Sequence, residues 1–196
     1  MGKMDDKRAA KRLSILNAAR DEFLSAGYEA ANMDRIASLA EVTKQTVYRY
    51  FPSKIELFEA TIRFLGQSSH ADFLRNLEHP DTHEALVGFA QGFIRWHIED
   101  EPLHIFRLLV AESAKSPEIV ETFFLAAPDE THAALSSFLK DRLSATNPDE
   151  AMLIFFSVLS AFRDDVLFGR GKPDDQQVVR LAETATQLLL ANLKEL

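Results

Sequence analysis

Residues 33–51 read Met33-Asp34-Arg35-Ile36-Ala37-Ser38-Leu39-Ala40-Glu41-Val42-Thr43-Lys44-Gln45-Thr46-Val47-Tyr48-Arg49-Tyr50-Phe51. The spacing predicts two short helices joined by a tight turn at Glu41. Asn32 is placed to cap the first and Thr43 the second, since their side-chain oxygens accept from the free amides of a first helical turn. Ile36, Ala37, Ala40, Val42, Val47 and Phe51 are the apolar positions that would lock the pair at a steep angle, and the small Ala37 and Ala40 permit the close approach. The second helix then turns Thr43, Lys44, Gln45, Thr46, Tyr48 and Arg49 outward. Long flexible donors and short hydroxyls are the side chains that reach base edges and phosphates.

Working outward, Ile15, Leu16, Ala19, Phe23 and Ala26 share one helical stripe, and Gly27 follows as a natural C′ stop, so a first helix is predicted over about 7–26. Pro52 ends the helix-turn-helix, and Ser53 restarts a helix holding Ile55, Leu57, Phe58, Ile62 and Phe64. Beyond Gly66 the expected helices are 67–78, 82–99, 102–114, 117–126, 129–145, 149–168 and 174–195, with prolines marking most of the starts. No stretch alternates as a strand does. The fold class is therefore all-α: an N-terminal three-helix domain over 1–54 and a larger helical bundle over 55–196.

At 196 residues, 46% hydrophobic and 27% charged, the chain has the composition of a globular protein with a sizeable core. Cysteine is absent, which excludes disulfides, thiolate metal sites and a cysteine nucleophile and suits a reducing cytoplasm. The N-terminus carries no apolar stretch of the secretory type, and no segment is apolar for long enough to span a bilayer. The net charge of −8 hides an asymmetry. Residues 1–55 hold ten Lys and Arg against seven Asp and Glu, a net of +3, while the remainder holds twelve against twenty-three, a net of −11. Only the N-terminal end suits a polyanion.

Residues from about 15 to 58 resemble the DNA-binding domain of the TetR/AcrR family of bacterial transcription regulators. The shared features are Phe23 with Gly27-Tyr28, Met33 with Ile36-Ala37, the run Val42 to Phe51, and Ser53-Lys54 with Leu57-Phe58. The resemblance implies a sequence-specific regulator, a repressor released from a palindromic operator by a small, largely apolar or aromatic effector. It also implies DNA contacts from Asn32, Met33, Thr43, Lys44, Gln45, Thr46, Tyr48, Arg49, Tyr50 and Lys54, with Tyr48 and Lys54 at phosphate positions and Lys44 and Gln45 facing bases. The basic segment Lys3, Lys7, Arg8, Lys11 and Arg12 reads either as an added contact to DNA or as a solvated tail. Where the family has Gly, this chain has Glu41: a positive φ there costs a non-glycine residue on the order of 1 kcal/mol and sets a carboxylate near DNA. The run Arg107 to Ser113 with Pro117-Glu118 resembles the regulatory domain of members that control efflux pumps.

Ala151–Phe162 is apolar almost all round, as a helix between its own core and a second subunit would be. With the seams of 178–193 it predicts a homodimer joined through Phe156, Val158, Phe162, Leu181, Ala185 and Leu188, the alternative being a monomeric core. Aromatic density places a ligand pocket, or plain core, at Phe64, Phe89, Phe93, Trp96, Phe106, Phe123, Phe124 and Phe155, with Leu159 beside them and His132 a polar group able to orient a ligand.

No zincin motif, paired helical Glu-x-x-His, phosphate loop or nucleophile elbow is present, so the expectation is no enzyme, no metal and no cofactor. A helical adaptor that binds only proteins is the competing reading, and it leaves Lys44, Gln45, Tyr48 and Lys54 without a purpose.

Overall fold

The computed structural model describes residues 3–126 and 129–193. Among them stand eleven α-helices, one 3-10 turn and no strand. The helices are α1 (Lys3–Ala26), α2 (Met33–Leu39), α3 (Lys44–Tyr50), α4 (Lys54–Leu74), α5 (Thr82–His97), α6 (Asp100–Glu112), α7 (Pro117–Ala126), α8 (Asp129–Leu143), α9 (Asp149–Leu159), α10 (Ala161–Leu167) and α11 (Asp175–Asn192), with the 3-10 turn at Arg75–Glu78. The all-α class holds.

Several boundaries differ from those expected, each for a local reason. α1 begins at Lys3, so the basic segment is helical rather than a disordered tail, with Lys7, Arg8, Lys11 and Arg12 exposed. α4 runs through Gly66 without a break, since a mid-helix glycine costs only about 1 kcal/mol against alanine and does not by itself end a helix. α6 starts at Asp100, which leaves Pro102 in the first turn, where its missing N–H is no loss. The long helix expected over 149–168 is divided at Ser160, whose hydroxyl donates to the Phe156 carbonyl at 2.9 Å beside the backbone bond to the same oxygen at 3.0 Å.

Packing divides the chain into two units, residues 1–68 with 104–128 and residues 69–103 with 129–196. In the first, Ile15, Leu16, Ala19 and Phe23 of α1 meet Ile36 and Val47, and Leu57 and Phe58 of α4 close the core together with Ile105, Leu108, Leu109 and Ile119. Phe23, Tyr28 and Phe58 form a ring cluster with centroids 5.3–5.9 Å apart. In the second, α5, α9 and α11 pack around Leu86, Phe89, Ile94, Phe155, Ala182, Ala185 and Leu189. Asp81 caps α5, and Asp174 with Gln177 forms a capping box at the start of α11. A functional division at residue 54/55 and the division by packing are thus different partitions, since residues 104–128 pack with the three N-terminal helices.

Candidate nucleic-acid interface

α2 and α3 are only seven residues each and hold by their caps and their buried face. The Asn32 side-chain oxygen accepts from the Asp34 amide at 2.8 Å. The Thr43 hydroxyl accepts from the Thr46 amide at 3.2 Å and lies 2.9 Å from the Thr46 hydroxyl. Between the helices the Val42 amide reaches back to the Ala37 carbonyl at 2.9 Å, and Glu41 takes φ +54°, the left-handed conformation anticipated for a position the family fills with glycine. Ser14 of α1 donates to the Ala40 carbonyl at 2.9 Å and ties this turn to the body of the unit.

On the outer side of α3, Lys44, Gln45, Tyr48 and Arg49 are exposed, as is Thr43 at its start, while Thr46 and Tyr50 are half-buried. Lys44 is not idle: its ammonium meets the Asp34 carboxylate at 2.8 Å, and that bond holds its pKa above the usual lysine value. Arg49 lies over the Tyr50 ring, 5.8 Å from its centroid, and the Tyr50 hydroxyl donates to the Arg8 carbonyl at 3.4 Å.

The expected DNA contacts Met33 and Lys54 both have partners inside the unit. Met33 is buried in the core with Ile36 and Ala37, so its side chain offers nothing to a ligand. The Lys54 ammonium donates to the Glu29 carbonyl at 2.9 Å and the Ala31 carbonyl at 3.4 Å, above the Tyr28 ring at 4.8 Å. It ties down the loop between α1 and α2 and remains half-exposed.

Glu22 went unread in the sequence. Almost fully buried, it accepts from the Asn32 amide at 2.9 Å and from Arg35 at 2.8 and 3.0 Å, all through one oxygen, and so fixes the entry of α2. The available signal was a carboxylate on the apolar stripe of Ile15, Ala18, Ala19 and Phe23. Asp34 was missed because nothing in spacing alone pairs it with a lysine ten positions on.

The residues expected to line a ligand pocket fall in both packing units. Phe106 and Phe123 meet edge to face at 5.8 Å in the first, and Phe64 lines a cleft of about 270 Å³ there with Arg12, Phe51, Glu56, Glu59, Ala60 and Arg63. In the second, Phe89, Phe155 and Leu159 are buried core, Phe93 lies tilted against His97 with centroids 3.8 Å apart and Trp96 beside it, and exposed His132 stacks on Phe156 at 4.5 Å. The Phe124 side chain lies outside the described residues.

Of the expected subunit contacts, Leu188 is exposed and Phe156, Val158, Phe162 and Leu181 are half-buried. Ala185 is corrected: at 0% exposure inside the α5, α9 and α11 core it has no surface to give a partner. Leu153 and Ile154 of α9, not singled out in the sequence, stand exposed. Among the described residues no group of three or more potential ligands could hold a metal ion, and no helix is long and apolar enough to cross a membrane.

A capped, locked pair of short helices that turns a polar second helix outward defines the class of helix-turn-helix transcription regulators. The chain belongs to the TetR family: residues 15–61 match the bacterial regulatory proteins of the tetR family, and residues 84–193 match the C-terminal domain of AefR-like transcriptional repressors. Among curated relatives, the transcriptional activator FasR of Mycolicibacterium smegmatis is 43% identical over 56 residues, which is 29% of this chain and 26% of the relative. The transcriptional regulator RutR of Escherichia coli K12 is 40% identical over 62 residues, 32% of this chain and 29% of the relative. The likeness to these relatives thus spans less than a third of their length.

Two solved structures are alike over nearly the whole chain. One is a TetR-family regulator from Mesorhizobium loti, at a TM-score of 0.79 and 22% identity, covering 94% of this chain and 96% of that one. The flavonoid-responsive regulator FrrA has a TM-score of 0.75 and 28% identity over 93% and 96%. The family consists of transcription regulators, not enzymes, and the adaptor reading is not favoured.

Proposed function

We propose that two copies of this chain bind a palindromic operator in the cytoplasm and repress transcription until a small, largely apolar aromatic effector releases them. The observation that carries the reading is the exposed polar face of α3 between a side-chain-capped start and an anchored end. In it, Gln45 and Lys44 take base edges, glutamine suiting adenine and lysine guanine, and Thr43, Thr46, Tyr48, Arg49 and Asn32 take phosphates or a thymine methyl. Half-exposed Lys54 takes a phosphate as well, beside Tyr50, which also anchors the end of α3.

Repression is supported by the match to the AefR-like repressor domain, and the effector class by the aromatic density of 56–196 and by the likeness to a flavonoid-responsive regulator. Two copies are supported by family habit and by the outward Leu153, Ile154 and Leu188 of α9 and α11, which two-fold pairing would bury in a four-helix bundle. The test is selection of bound duplexes from a random pool. The expected result is a palindrome whose half-site centres lie about 34–36 Å apart or a multiple of it. Recovery of no duplex, or of sites without two-fold symmetry, overturns the reading.

A further inference from the structure

The N-terminal turns of α1 carry a charge pattern that a helix does not adopt for its own sake. Lys7, Arg8 and Lys11 are all exposed, and none has an ion-pair partner among the described residues. Lys7 and Lys11 stand four apart, Arg8 and Lys11 three apart, and Arg8 and Arg12 four apart, spacings that bring like charges together on one surface and destabilise a helix. Asp6 relieves none of this, because the residues three and four beyond it are Ala9 and Ala10, and Asp5 stands at pairing distance in sequence from Arg8 alone, leaving Lys7 and Lys11 without an acidic neighbour before them.

The same stretch is anchored to the end of α3. The Arg8 carbonyl accepts from the Tyr50 hydroxyl at 3.4 Å, and the Arg12 guanidinium lies 5.5 Å from the centroid of the Phe51 ring. Arg12 and Phe51 also wall one cleft with Glu56 and Glu59, so Arg12 faces carboxylates. Lys7, Arg8 and Lys11, without an ion pair among the described residues, therefore form a basic stripe beside the C-terminal end of the recognition helix.

We propose that Lys7, Arg8 and Lys11 form a second DNA-binding element that grips the phosphates of the duplex flanking each half-site, outside the base pairs read by α3. The proposal rests on the operator-binding reading above and adds to it a sequence-independent contact. Each neutralised phosphate releases condensed counterions, so three contacts per subunit appear as salt dependence rather than as base preference.

The experiment measures affinity against salt for the full chain on the selected duplex in two lengths, one trimmed to the operator and one carrying a full helical turn of added sequence at each end. The wild-type log–log slope is expected to be steeper on the longer duplex by about 2 to 3 per subunit. Lys7→Ala/Arg8→Ala/Lys11→Ala loses that increment and weakens operator and scrambled duplexes alike, and Lys7→Arg/Lys11→Arg keeps it. The comparison of the two lengths needs only the wild-type chain, so a variant that fails to fold does not spoil the test. Equal wild-type slopes on the two lengths, or a triple variant with the wild-type slope, overturn the element while leaving operator binding intact. A wild-type chain that binds no duplex overturns the proposed function and this inference with it.

Discussion

Gln45 is the residue on which base recognition rests in this reading. It is exposed on the second position of α3, next to a lysine that a carboxylate already holds. Gln45→Ala is expected to cost about 1–3 kcal/mol of discrimination at one base pair per half-site and to leave scrambled duplexes unaffected. Titration of single-substitution operators checks it; equal weakening on every sequence would make Gln45 a backbone contact. Glu41, at φ +54°, carries strain that glycine does not. Glu41→Gly is expected to raise unfolding stability by about 0.5–1 kcal/mol in denaturant titration. Tyr28 is buried against Phe23 and Phe58, and burial first, then the Glu118 carboxylate, pushes its hydroxyl above the usual tyrosine value of 10.0. The folded state thus holds this proton more tightly than the unfolded chain. The stability it contributes is complete below the unfolded value and falls as pH rises through 10 and above. Melting curves of Tyr28→Phe should lack that part of the alkaline decline.

At the scale of elements, most of the helix-turn-helix was legible and the outer faces of the later helices were not. Asn32 and Thr43 were readable as caps because capping chemistry is local, and Glu41 as a left-handed turn because it stands where the family it resembles has glycine. The burial of Met33 and the carbonyl partners of Lys54 went unread because they depend on loops that fold back, which no periodicity encodes. α9 is apolar nearly all round, so its pattern cannot say which side meets the core; the structure turns Met152 and Phe155 inward and Leu153 and Ile154 outward. Leu153→Glu is accordingly expected to give a folded monomer that binds the operator weakly, whereas Ala185→Glu, which buries a charge in the core, should unfold the chain. Sedimentation with circular dichroism separates the two. A dimeric Leu153→Glu chain would remove α9 from the interface.

For the whole molecule, release by an effector needs a ligand with different affinity for two conformations, and a tenfold loss of operator affinity corresponds to about 1.4 kcal/mol of such coupling. Apolar aromatic compounds, the effector class proposed above, are the first panel to try. A true effector should raise the melting temperature at saturating concentration, change the fluorescence of Trp96, and weaken operator binding by the same factor by which operator weakens its own binding. Unequal factors at equilibrium would break the linkage and exclude it as the inducing ligand.

The partition of the core bears on how such regulators can be recombined. Ile105, Leu108, Leu109 and Ile119 share their core with α1, α2, α3 and the first turns of α4. A chimera that grafts residues 1–54 onto the sensing body of a relative would set those four side chains against a foreign surface. The exchangeable reading head of this protein is a discontinuous piece, and a graft that keeps its native stability has to carry residues 104–126 along with the helix-turn-helix.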